Sequence, residues 1–175
     1  MSQHLMIDLE TMSTKPNAAI VAIGAIWFEP STITLTSRFY NCISLDSNIK
    51  AKRAIDGETI YWWLKQNDEA RLALVKDPVS LINALMNFND FIRKQAVENF
   101  YIWGNGANFD PVILGSAFEC MNLQVPWNFR NIRCYRTAIA LLPAREYIKP
   151  TVAHNALEDA KAQAIHLMKI YPSLL

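Results

Sequence analysis

Asp8 and Glu10 stand one residue apart at the end of an otherwise apolar stretch, H-L-M-I-D-L-E-T over residues 4–11. In a strand, residues two apart point to the same side. Both carboxylates would then share one face, a few ångströms apart. Two anions that close repel unless a cation lies between them. Hard oxygen ligands suit magnesium or manganese. A plainer alternative stands beside this: strands alternate apolar-in and polar-out, so the pair could be the exposed positions of a half-buried strand.

Two further places put chemistry at element boundaries. Asp110 precedes Pro111 at the start of an expected helix, and His154 with Asp159 opens the last expected helix. Four carboxylates and a histidine are the inventory of two-metal phosphodiester hydrolysis. The carboxylates hold two ions roughly 3.5–4 Å apart, one activating the attacking water and the other stabilising the leaving oxygen. The histidine takes the proton from that water, a task suited to a pKa near neutrality. On one helix His154 and Asp159 would lie about 140° apart. The histidine is therefore expected on the loop before the helix, free to swing, with Asp159 fixed in its first turns. Each group has a plainer role open to it. Asp110 could be a helix N-cap, His154 a surface residue, and Asp159 half of a solvated pair like the one expected of Glu158 and Lys161. His4 and His166 read as structural or surface residues.

These groups need elements to position them, and 175 residues are enough for a single domain, 1–175, with a sizeable core. With 51% apolar and 19% charged residues, the composition is globular and not disordered. A net charge of +1 gives no global attraction to nucleic acid, but leaves room for a local basic groove. Cys42, Cys120 and Cys134 are scattered without C-x-x-C spacing, which favours reduced thiols over disulfides or zinc. Asp8 and Glu10 interrupt any signal-peptide core. The longest apolar run, 18–28, is too short to cross a bilayer. The expectation is a cytoplasmic protein with no membrane partner.

Residues 18–28 and 33–44 read as strands paired antiparallel after the carboxylate strand. Residues 46–56 are polar and basic, with Lys50, Lys52 and Arg53. Helices are expected over 58–66, 69–75 (capped by Asn67) and 79–95, with Pro78 in the first turn of the last. A strand over 99–103, a helix over 112–121, a short fifth strand over 131–134 and helices over 135–142 and 154–171 complete the chain. Pro143, Pro150 and Pro172 act as stops. The class is α/β: a mixed five-stranded sheet flanked by helices, with sites expected at strand ends and the helix starts that follow.

D-L-E-T at 8–11, N-F-D at 108–110 and H-N-A-L-E-D at 154–159 resemble the three motifs of the DnaQ-like 3′–5′ exonuclease superfamily. The H-x-x-x-x-D form is that of its DEDDh branch. D-x-E alone is weak; all three in order, across the whole chain, are specific. Residues 6–25 and T-I-Y-W-W-L-K-Q at 59–66 are more closely similar to small phage and prophage exonucleases related to exodeoxyribonuclease VIII and the T-even phage exonuclease A. The resemblance implies a ribonuclease-H-like fold and removal of 5′-mononucleotides from a 3′ end, with two magnesium ions for which manganese can substitute. It implies Asp8, Glu10, Asp110 and Asp159 as metal ligands and His154 as general base. Single-stranded DNA is the favoured substrate. RNA is the alternative, and a non-catalytic binding module the more distant one. Relatives such as ribonuclease T form dimers, so a homodimer fits. The chain departs from the pattern near Cys134, where relatives often carry an acid before an R-T pair and this chain reads R-C-Y-R-T. That puts a secondary substrate contact in question and no ligand.

Thr11 and Met12 follow the metal strand, where the superfamily often meets the terminal nucleotide. Trp63, with Tyr61 and Trp62, and Phe109 could stack on bases or fill the core. Arg130, Arg133, Arg136, Arg145 and Lys149 could form a phosphate track or a solvated face.

Overall fold

In a computed structural model, which describes residues 3–96, 100–141 and 154–170, five strands form one mixed sheet flanked by helices. β1 (His4–Thr11), β2 (Ile20–Glu29) and β3 (Thr34–Cys42) make an antiparallel meander. β4 (Tyr101–Gly104) and β5 (Ile132–Cys134) add parallel strands on the other side of β1, giving the order β3-β2-β1-β4-β5. The helices are α1 (Leu45–Lys50), α2 (Gly57–Leu64), α3 (Asp68–Ala73), α4 (Leu81–Gln95), α5 (Asp110–Cys120), α6 (Tyr135–Ala140) and α7 (Ala156–Ile170). Among the described residues no helix is long and apolar enough to cross a membrane.

β1 is central and covered on both faces, which is why it begins as a continuous apolar run. Its period of two sorts the side chains. Leu5, Ile7 and Leu9 enter the larger core with Leu85 and Phe88 of α4 and Leu114 and Phe118 of α5. Met6 joins the opposite core with Tyr135 of α6 and Ala160, Ala164 and Leu167 of α7. By the same alternation Asp8 and Glu10 share the face of Met6, under the first turns of α7.

Two local features depart from the sequence expectation. Residues 46–56 hold a helix, α1, capped by Ser44, whose side chain accepts from Ser47 N. Six residues are too few for a periodic signal. Asn48 of α1 is buried and clamps β2, donating to Ile20 O at 2.9 Å and accepting from Ile20 N at 3.0 Å. Arg53, expected in a solvated basic stretch, is also buried; it donates to Ala18 O, Ile113 O and Ser116 Oγ. Second, Pro78 does not enter the first turn of α4. Ser80 caps that helix, while Val79 continues a bridge to Ile43. The expected stops Pro143, Pro150 and Pro172, and the element ends at Asn99, Leu142 and Tyr171, lie outside the described residues.

Candidate active site

The register of β1 on β2 sets the site. Asp8 pairs with Gly24 and Glu10 with Ala22. Gly24 leaves no room for a Cβ, because the backbone of Ala156 and Leu157 occupies that space. The first turn of α7 can therefore rest directly on β2. Asn155 caps this turn through Oδ1, which accepts from Leu157 N at 3.1 Å and Glu158 N at 3.2 Å. Seated this way, α7 carries Asp159 to the other two acids. One carboxylate oxygen from each of Asp8, Glu10 and Asp159 lies within 4.8 Å of the others.

Asp110 stands beside this triplet and does not join it. It is the first residue of α5, followed by Pro111, and Phe109 occupies the N-cap position. Asp110 is thus no N-cap. Its Oδ1 accepts from Leu9 N at 3.2 Å and its Oδ2 from Asn105 N at 2.9 Å. Leu9 lies between Asp8 and Glu10, beyond the last pair of β1 with β4, so Asp110 pins β1 between its two acids. Gly104 permits this, since a Cβ there would meet Asp110 Oδ2 at 3.0 Å. The three gathered acids and the amide-bound Asp110 are the four carboxylates that the resemblance implies as ligands.

The charges of the site are unbalanced. Burial first, then Asp110, Glu10 and Asp159, push the Asp8 carboxyl well above its ordinary range. Burial, then Asp159 and Asp110, push Glu10 up to about 8. Burial raises Asp110 to about 6 against the amides of Asn105 and Leu9. Burial raises Asp159 against His154 and its backbone amide. Among the described residues no Lys or Arg forms an ion pair with these four acids. Glu10 Oε1 is buried without a hydrogen-bond partner. An all-oxygen, anionic donor set with an unsatisfied buried oxygen fits a hard divalent cation.

His154 lies before α7, off the helix, in the left-handed backbone region at φ 60°. The Trp62 ring stands edge-on to it, centroids 4.8 Å apart. Beside it opens a cavity of about 580 Å³ lined by Glu10, Thr11, Tyr61, Trp62, Trp63 and Phe109, among others. The four expected substrate residues therefore separate. Thr11 and Phe109 line the cavity. Met12 packs instead against the cluster of Val21, Trp63 and Ala156. Trp63 is 5% exposed, and its indole N–H donates to Thr11 O at 3.0 Å. It is a wall that holds β1, and the exposed rings are Tyr61 and Trp62.

Of the arginines weighed as a phosphate track, Arg136 acts on Asp110, favouring its ionised form against burial. Its guanidinium donates to Asn105 O, beside the amide that holds Asp110. Arg133 stacks over Tyr101 at 4.3 Å and bonds backbone carbonyls, and Arg130 is exposed. Arg145 and Lys149 lie outside the described residues. His4 is structural: its Nδ1 accepts from Trp103 Nε1, and burial lowers its pKa to about 4.

Sequence reasoning missed Gly24, Gly104 and Gln163. The Nε2 of Gln163 donates to Asp8 Oδ1 at 2.9 Å. Its signal was available, because Gln163 follows Asp159 by four residues and so shares its helix face. A glycine inside an apolar strand run was likewise a mark of close backbone approach.

A family model described as the 3′–5′ exoribonuclease Rv2179c-like domain matches residues 3–171. The chain is similar to the exodeoxyribonuclease of Enterobacteria phage T4, 28% identical over 198 residues that cover 94% of this chain and 86% of that one. Its fold is similar to cell-death related nuclease 4 (TM-score 0.71, 12% identity), covering 99% of this chain and 64% of the other, just under two thirds of its length. It is also similar to the nuclease domain of 3′hExo, a DEDDh family member, bound to rAMP (TM-score 0.68, 11% identity), covering 98% and 92%. The chain belongs to the Rv2179c-like 3′–5′ exonuclease family, built on the ribonuclease-H-like sheet of the DEDDh enzymes.

Proposed function

We propose that this chain, as one domain, hydrolyses the terminal phosphodiester at the 3′ end of single-stranded DNA and releases 5′-mononucleotides. The observation that carries the reading is the convergence of Asp8, Glu10 and Asp159 within 4.8 Å, beside an aromatic cavity with His154 at its edge. Asp8, Glu10 and Asp159 would hold magnesium or manganese directly, with Asp110 completing the anionic set for a second ion. Bound there, the two ions supply Lewis-acid activation of water and of the leaving oxygen.

The rest is the work of the chain itself. The 3′-terminal nucleotide enters the cavity, where Tyr61, Trp62 and Phe109 offer ring faces and edges to its base. Thr11, held by Trp63, fixes the floor next to Glu10. His154 accepts the proton of the attacking water as the water oxygen bonds to phosphorus. The bond from phosphorus to the 3′ oxygen of the preceding nucleotide breaks, and that oxygen takes a proton from solvent water to become the new 3′ hydroxyl of the shortened strand. DNA is favoured by the phage T4 relative. RNA is the second reading, because the family model is described as an exoribonuclease. A cytoplasmic protein able to pair as a homodimer completes the proposal.

The test uses 5′-labelled single-stranded DNA and matched RNA, with magnesium, manganese or EDTA, and Asp8→Ala as control. A metal-dependent ladder shortening from the 3′ end is expected, absent in the variant. Normal cutting by Asp8→Ala would show the metal-site assignment to be wrong.

A further inference from the structure

Gln163 is 2% exposed, on α7, one turn beyond Asp159. Its Nε2 donates to Asp8 Oδ1 at 2.9 Å, whereas its Oε1 is buried and makes no hydrogen bond. Asp8 must be ionised to hold a cation, and an ionised carboxylate only accepts, which suits the NH2 that the amide turns toward it. That orientation is what strands Oε1. A buried acceptor without a donor is unfavourable. A methionine of similar length would fill the same space with no such group. Packing therefore does not account for an amide here, and its one bond to Asp8 does.

We infer that Gln163 is a positioning residue that fixes the rotation of the Asp8 carboxylate within the cation-binding triplet. The inference rests on the metal-site reading above. The choice of side chain follows from charge. A lysine at this place would neutralise Asp8 and compete with the cation. A glutamate would add a fifth negative charge to a site already crowded with four. The neutral amide holds Oδ1 through one lone pair and leaves the remaining lone pairs of Asp8 for a metal ion. Groups that orient a metal-binding side chain in this way alter affinity by about 10–100-fold when removed.

The experiment is calorimetric titration of wild type, Gln163→Met and Gln163→Asn with Mn2+, together with thermal melts of each in EDTA. Gln163→Met is expected to bind Mn2+ about 10-fold more weakly. Its melting temperature in EDTA should stay near that of wild type, because the stranded Oε1 is gone while Asp8 Oδ1 loses its donor. A residue that merely packs would give the opposite pattern, lower stability with unchanged affinity. At saturating metal the KM for a DNA oligonucleotide should stay at the wild-type value. Gln163→Asn keeps the amide but is one methylene too short to reach Asp8, so it should show the same weakening even if the methionine variant does not fold. Wild-type Mn2+ affinity in a folded variant overturns the inference and leaves the metal site standing. A wild type that binds no Mn2+ overturns both.

Discussion

A Cβ on Gly24 would sit 2.1 Å from the carbonyl carbon of Ala156. Gly24 is also the cross-strand partner of Asp8. One backbone position thus lies against both Asp8 and the helix that brings Asp159 to it. In Gly24→Ala the start of α7 must lift from β2 and carry Asp159 out of the triplet. Mn2+ affinity measured by calorimetry should fall by about tenfold or more, and urea melts should show a loss of about 1–3 kcal/mol from overpacking. Wild-type affinity in that variant would mean that α7 does not depend on this seat.

The acids make stability in EDTA depend on pH. Glu10 is raised from 4.5 to about 8 and Asp110 from 3.8 to about 6. The folded state then binds more protons than the unfolded one between each ordinary and each raised value, so stability falls as pH rises through that window. Melting temperature in EDTA should be highest near pH 4 and decline toward pH 8, with His4, lowered from 6.5 to about 4, offsetting part of the fall in the lower half of that window. Added Mg2+ should restore most at the alkaline end, where the acids are ionised. A flat or rising profile in EDTA would contradict this charge balance.

His154 stands off α7, against Trp62, and is outside the acid triplet. His154→Ala should slow cleavage by about 10²–10⁴-fold while Mn2+ titrations stay near wild type. Loss of Mn2+ binding in this variant would make the histidine a ligand instead of a base.

The adjacent aromatics should separate by effect. Tyr61 is 63% exposed and lines the cavity. Tyr61→Ala should raise KM for single-stranded DNA about tenfold, within the ~1–3 kcal/mol of a base stack, at unchanged melting temperature. Trp63 is buried and bonded to Thr11 O. Trp63→Ala should destabilise the fold by about 3–5 kcal/mol, and a KM effect without loss of stability would reverse these assignments.

Much of this was legible from the residues. The alternation of Met6, Asp8 and Glu10 against Leu5, Ile7 and Leu9 placed both acids on one face before any coordinates. The five-residue spacing of His154 and Asp159 placed the histidine off the helix. What escaped was set by contacts between segments distant in the chain. Asn48 and Arg53 look like loop polars because their partners, Ile20, Ala18 and Ile113, lie 28 to 60 residues away. Asp110 taken alone could be a cap, and its tie to β1 is hidden because the amide it accepts, Leu9 N, is 101 residues distant. Trp62 and Trp63 cannot be told apart by composition, since only the packing of α2 decides which ring is covered.

The bond from Gln163 to Asp8 spans 155 positions. A ribosome therefore exposes Asp8, Glu10 and Asp110 long before α7 exists to join them, and contacts of such separation form late. The growing chain holds Asp8 and Glu10 without Asp159 until residues 156–170 have been added. The acid triplet is thus assembled only once α7 has docked on β1 and β2, and its parts cannot meet earlier in synthesis.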